Sequence, residues 1–181
     1  MDSLVIENRK WSRADVAELL ISRTALTELK LEHALQIVRL LTPHRVAAGT
    51  VLIEEGVTST GYMALVLHGE AVVANSVSGS DEAVLLGQIG CGALFGELGI
   101  LDGKPRSATV TAVSDMDIAV LDRPGLSRLI ETVPSVACAL LAAIISRVAE
   151  RLRATNVKVQ TLSAANGALQ QELKDLRATK R

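Results

Sequence analysis

The sequence predicts an α+β protein: a β-roll or jelly-roll barrel of short antiparallel strands, with N-terminal helices before it and a long C-terminal coiled-coil helix after it. Three observations carry this expectation. Short β-rich runs separated by glycines fill the chain from His44 to Asp122. Apolar residues at helical spacing precede that zone. A heptad pattern follows it and is sustained over about five repeats. The expected division is residues 1–42, 43–124 and 125–181, and 181 residues suit one ordinary domain with a helical extension.

In the first zone the pattern is helical from Ser12 to Leu41. Ser12 and Asp15 resemble a capping box with Asp in place of the usual Glu. Val16, Leu19 and Leu20, then Leu35, Val38 and Leu41, recur at helical spacing. A break between Thr24 and Lys30 should divide two helices, and Pro43 should end the zone. Strands are expected over Val51–Glu54, Met63–His68, Ala71–Asn75, Ala83–Ile89, Ala108–Val113 and Ile118–Leu121. Gly49, Gly56, Gly61, Gly69, Gly79, Gly90 and Gly92 are expected as turn residues with positive φ.

From Gly125 the pattern is helical again, with Pro134 in the first turn of a long helix. Ile145, Leu152, Val159, Asn166 and Leu173 fall seven apart as a positions. Leu141, Val148, Thr155, Leu162, Leu169 and Leu176 form the d series. A helix from Pro134 to Ala178 would reach roughly 65 Å, too far for one barrel to cover, so its far half needs a partner helix. Asn166 at an a position favours a parallel two-stranded coil in fixed register. Glu172 at g and Arg177 at the following e suit a cross-strand ion pair. A parallel homodimer is therefore expected.

Apolar residues make up 49% of the chain, yet there is one Trp, one Tyr and one Phe, so the core must be Leu, Val, Ile and Ala. A net charge of −1 argues against a broad phosphate-backbone binder. The basic end, Lys174, Arg177, Lys180 and Arg181, reads as a solvated helix terminus. Cys91 and Cys138 form no CxxC pair and are expected as buried or inert thiols, in keeping with a reducing cytoplasm. The N-terminus has no signal-peptide pattern. The longest apolar run, Val136 to Ile145, is too short to span a bilayer. A soluble cytoplasmic protein with no membrane contact is expected.

The segment Phe95–Thr111, FGELGILDGKPRSATVT, carries the chemistry. An acid directly follows a glycine, and an arginine stands nine positions later between Pro105 and Ser107. Burying a phosphate charge without a counter-charge is prohibitively costly. Arg106 supplies a planar fork matched to phosphate oxygens, and the Ser107 hydroxyl adds a donor. Gly96, lacking Cβ, lets backbone N–H groups approach. Leu98–Leu101 can form one helical turn whose first amides favour an anion. The Glu97 carboxylate can accept a ribose 2′-hydroxyl proton. Spacing alone equally allows a structural Glu97–Arg106 salt bridge.

The string FGELGILDGKPRSATV resembles the phosphate-binding cassette of the cyclic nucleotide-binding domain, shared by the catabolite activator protein family and protein kinase A regulatory subunits. The likeness extends through Gly49-Thr50-Val51-Leu52 to Glu55-Gly56, then Tyr62-Met63 to Leu67 and Gly69-Glu70, and covers the chain from Leu41 to about Lys158. It implies that Gly96 and Glu97 hold the ribose, that Arg106 pairs with the phosphate, and that Ser107 with Ala108 completes the phosphate contacts. Phe95 and Leu98, which flank Gly96-Glu97, are counted among the ligand-binding residues. The run Glu150–Val159 resembles the dimer helix of the bacterial cyclic AMP receptor type, where a Thr-Ser pair contacts adenine and the second residue comes from the neighbouring subunit. Here the pair is Thr155-Asn156. Thr155 is either a polar residue tolerated in the seam or a reader of the base edge. An amide at Asn156 suits adenine or guanine. The expected ligand is cyclic AMP, with cyclic GMP and a cyclic dinucleotide as the alternatives.

The implied function is a dimeric regulatory receptor for a cyclic nucleotide, not an enzyme, acting on a protein effector that the sequence does not name. The family's bacterial transcription factors carry a helix-turn-helix after the dimer helix. Here the heptads continue to the end, so no direct DNA binding is expected. No iron–sulfur cysteine cluster is present. Three other readings stand beside this one. The first is a coiled-coil scaffold with a vestigial pocket. The second is a DNA-binding regulator whose recognition domain lies on a longer native chain. The third is a cupin-type metal enzyme, disfavoured because His33, His44 and His68 are scattered.

Overall fold

The computed structural model describes residues 3–6, 9–58, 61–76 and 83–179. A hairpin of β1 (Ser3–Ile6) and β2 (Arg9–Ser12) leads into α1 (Arg13–Leu20), and α2 (Leu31–Val38) follows. The expected capping box is present: Asp15 N donates to Ser12 Oγ at 3.0 Å, and Ser12 N donates to Asp15 Oδ2 at 3.2 Å. The break between the two helices spans 21–30, wider than expected. The hairpin was not expected at all, because its mixed polar sequence lacks strand alternation.

Next come β3 (Thr42–Val46), β4 (Val51–Ile53), β5 (Tyr62–His68), β6 (Ala71–Ser76), β7 (Ala83–Ile89) and β8 (Leu94–Phe95). A short helix α3 (Glu97–Asp102) precedes β9 (Thr109–Ala112) and β10 (Met116–Asp122). These strands form two four-stranded antiparallel sheets, ordered β3-β10-β5-β8 and β4-β9-β6-β7. Pro43, expected to end the helical zone, lies inside β3, which is an edge strand where a missing N–H is tolerated.

The two sheets enclose Val46, Ile53, Ala64, Val66, Ala71, Phe95, Val110, Ala112, Met116 and Ile118. This is the aliphatic core the composition required, with the single Phe inside it. Strand β5 is buried on both faces. Ala64 and Val66 point into the roll, while Met63, Leu65 and Leu67 point outward and are also buried, with α1 packed on that side. That explains why YMALVLH reads as an unbroken apolar run rather than an alternating one.

Among the anticipated turn glycines, Gly49, Gly56, Gly61, Gly69 and Gly92 take positive φ, and Gly90 does not. Gly79 lies outside the described residues, as do Lys180, Arg181 and the side chains of Glu172, Leu173, Leu176 and Arg177.

The helices α4 (Arg123–Thr132) and α5 (Pro134–Thr179) complete the chain. Asp122 caps α4 by accepting from Gly125 N at 2.8 Å. The molecule divides into two units, residues 1–144 and 145–181. In the first, Val136, Ala137, Leu140, Ala143 and Ile144 of α5 are buried. The second is the remainder of α5. There Ile145, Leu152, Val159, Leu162 and Leu169, all from the heptad series, are each more than half exposed.

One buried charge underpins the roll. Asp117 on β10 is fully buried, and Arg45 on β3 reaches it with Nη1 at 3.0 Å from Oδ1. Nη2 of the same guanidinium lies 3.6 Å from Asp115. Removing one partner of a buried pair is costly, and Arg45 is itself partly exposed. Arg45→Ala should therefore cost about 3 kcal/mol in urea unfolding. A change within about 0.5 kcal/mol would show that Asp117 does not depend on it.

Candidate functional site

The site grows out of the end of β8. Phe95 is paired with Ala64 and anchored in the core. The chain then turns at Gly96, whose φ of 77° lies in the left-handed region. A Cβ there would sit 2.7 Å from Tyr62 O, so only glycine lets the chain pass and enter α3. Glu97 opens α3, and only 2% of it is exposed. Leu98 is partly buried beside it. The expected single turn over Leu98–Leu101 is thus the six-residue helix Glu97–Asp102, ended by Gly103.

Arg106 returns to the same spot, with 6% of it exposed. Its Nη1 donates to Gly96 O at 3.0 Å and to Tyr62 O at 3.3 Å. Its Cζ lies 4.9 Å from the centre of the Tyr62 ring, a cation–π distance. The guanidinium also lies against the backbone of α3: a Cβ on Gly99 would stand 2.6 Å from Arg106 Cζ. The main chain of Arg106 is held as firmly. Arg106 N donates to Val57 O at 3.1 Å, and Gly56 N donates to Arg106 O at 2.9 Å. The loop after β4 is tied in turn to β9 and β6. Glu55 N donates to Thr109 Oγ1 at 3.1 Å, and Glu55 Oε2 accepts from Ser76 N at 2.7 Å and Ser76 Oγ at 3.0 Å.

The fold therefore brings Phe95, Gly96, Glu97, Leu98 and Arg106 together. Ser107 is exposed and Ala108 partly buried, both on the approach to β9. Thr155 and Asn156 are exposed residues of the second unit, and the Thr155 hydroxyl donates to Arg151 O of its own helix at 2.8 Å. Two site residues escaped the sequence reading. Tyr62 stacks on the guanidinium, and Gly99 makes room for it. The spacing Gly96-x-x-Gly99 could have signalled the second, since residues three apart share a helix face.

Cys91 and Cys138, expected as buried or inert thiols, are both free and exposed, with Cys91 Sγ 3.1 Å from Leu67 O. Among the described residues, no group of three or more His, Cys, Asp or Glu side chains gathers as a metal site. Among the described residues, no helix is long and apolar enough to cross a membrane.

Residues 43–133, half of the chain, match the family model of the cyclic nucleotide-binding domain, and the chain belongs to that family. It is 34% identical over 112 residues to a cAMP-dependent protein kinase regulatory subunit of Aspergillus fumigatus, covering 61% of this chain and 26% of that protein. Its fold is similar to a cyclic nucleotide-binding domain from Methylobacillus flagellatus, with a TM-score of 0.67, 25% identity and 76% of each chain covered. It is also similar to the catabolite activator protein of Thermus thermophilus, with a TM-score of 0.63, 26% identity, and coverage of 80% of this chain and 63% of that one. The chain spans about a quarter of the length of the curated relatives it matches.

Tyr62 offers a direct probe of the guanidinium. Burial pushes its phenol above the ordinary value of 10.0, and the charge of Arg106 pulls it partly back. The hydroxyl donates to Leu52 O, which also needs the proton in place. Because the folded value is raised, this contribution to stability is complete below pH 10.0 and is lost as pH climbs through the folded value. Tyr62 is the chain's one tyrosine, so ultraviolet titration reads it alone. The wild-type midpoint should lie above 10.0, and Arg106→Met should move it higher. A midpoint that falls in the variant would contradict the placement of the charge.

Proposed function

We propose that this chain is a dimeric cyclic nucleotide receptor of the cyclic AMP type, a regulatory module rather than an enzyme. One observation carries the reading: an arginine and a glutamate, each at least nine-tenths buried, stand in one cassette at the mouth of an apolar roll. Arg106 pairs with the cyclic phosphate, with Ser107 and Ala108 completing its contacts. Gly96 and Glu97 take the ribose, flanked by Phe95 and Leu98. The family membership and the kinase regulatory subunits among its relatives support a cyclic nucleotide, and cyclic AMP in particular. On the resemblance to the bacterial dimer helix, Thr155 and Asn156 contact the base, Asn156 from the second subunit. The module acts in the cytoplasm on a protein effector.

Isothermal calorimetry with cyclic AMP tests the site. Arg106→Ala should weaken binding more than a hundredfold, which corresponds to about 3–5 kcal/mol for a buried charge left without its counter-charge. Equal affinity in wild type and variant would end the reading. Silence of the wild type towards cyclic AMP and cyclic GMP would favour the scaffold with a vestigial pocket.

The exposed seam of α5 supports the dimer, because apolar a and d residues left in water gain by pairing. Sedimentation equilibrium should give a dimer at micromolar concentration. Asn166→Leu should raise the melting temperature of the coil and admit higher oligomers, since the paired amide restricts register and number at a cost in stability. A wild-type monomer would remove the dimer from the account.

A further inference from the structure

Asn75 near the end of β6 has a side-chain oxygen, Oδ1, that is buried and has no hydrogen-bond partner among the described residues. A buried acceptor in that condition is rare and destabilising, and it calls for a reason. The strand register says where it points. Val73 pairs with Val110 and Ala71 with Ala112, and these pairs face the interior of the roll. Asn75, two residues past Val73, shares that inner face. Ala74 pairs with Thr109 at the end of the β6–β9 ladder, and Asn75 is the next residue of β6, on the side from which the other chain runs back through Ala108 and Ser107 to Arg106. The next residue on the strand, Ser76, is bonded to Glu55, in the loop whose following residue, Gly56, donates to Arg106 O.

We infer that Asn75 is a specificity residue, whose side-chain carbonyl accepts a hydrogen bond from the exocyclic amino group of the bound purine. This rests on the proposed receptor function and names which part of the ligand meets β6. In that function Arg106 and Ser107 engage the phosphate and Glu97 the ribose, leaving the base as the part of the ligand with donors to offer. A nucleotide anchored at Arg106 and Ser107 reaches the neighbouring strand, since paired strands stand only about 5 Å apart. Adenine presents an amino donor beside a ring-nitrogen acceptor, and a carboxamide matches that pair with its oxygen and its NH2 group.

The test compares cyclic AMP with its analogue bearing hydrogen in place of the 6-amino group, by calorimetry on wild type and Asn75→Leu. Leu keeps the branched shape and heavy-atom count of Asn, though its methyl groups are bulkier, and it removes the stranded oxygen. Wild type should prefer cyclic AMP by about tenfold, the worth of one hydrogen bond to a buried acceptor. Asn75→Leu should bind the two ligands equally. Its ligand-free melting temperature should stay level or rise, which a merely structural hydrogen-bonding role would not produce. If wild type binds cyclic AMP but does not distinguish the analogue, or if Asn75→Leu keeps the preference, the assignment is overturned while the receptor function stands. If wild type binds no cyclic nucleotide, the receptor function fails and this assignment fails with it.

Discussion

A single arginine side chain, folded against the short helix α3 in a mostly apolar roll, organises this protein. A guanidinium brought out of water must recover its hydrogen bonds and its electrostatic stabilisation from the protein. Arg106 does so with the carbonyls of Gly96 and Tyr62 and with the Tyr62 ring. A side chain at Gly99 would force the guanidinium to shift from this position, and the path to it needs the left-handed turn at Gly96. The glycines of the cassette are therefore spatial requirements set by the arginine, not merely places where the chain bends.

The rest of the roll delivers that arrangement. Strand β8 is only two residues long, yet its pairing with β5 places Phe95 in the core and aims Gly96 at Tyr62 O. The loop after β4 grips the main chain of Arg106 from the other sheet, and Glu55 secures that loop to β6. Both sheets thus meet at the cassette. A charge brought there by a ligand would act on groups whose hydrogen bonds run into each of them. The polar groups of the site are held in place by hydrogen bonds to the main chain.

The outer part of α5 obeys a different constraint. Residues 150–171 are all exposed in a single chain, including Leu152, Val159, Leu162 and Leu169 at heptad positions. The first turns of the same helix bury Val136, Leu140 and Ile144. One element therefore changes its surroundings partway along, from the protein's own core to exposure in the single chain. Cyclic nucleotide-binding folds with TM-scores above 0.6 to this chain cover most of it.

Much was legible in the sequence. Residue periodicity separated the helical ends from the strand-rich middle, because the 3.6- and 2-residue repeats reflect which face of each element is buried. The glycine-acid and proline-arginine-serine spacing marked the segment in which Gly96, Glu97 and Arg106 come together. What the sequence left open was decided in three dimensions. The β1–β2 hairpin and β8 pair through backbone hydrogen bonds that side-chain pattern does not record, and Pro43 became a strand residue because β3 lies at an edge. Tyr62 and Gly99 joined the site only when β5 and α3 closed around Arg106. Asn75 gained meaning only when the β6–β9 register brought the end of β6 beside the start of β9, next to the cassette. Local chemistry and spacing are written along the chain. Which distant residues share a buried charge depends on sheet pairing, and that is a property of the folded whole.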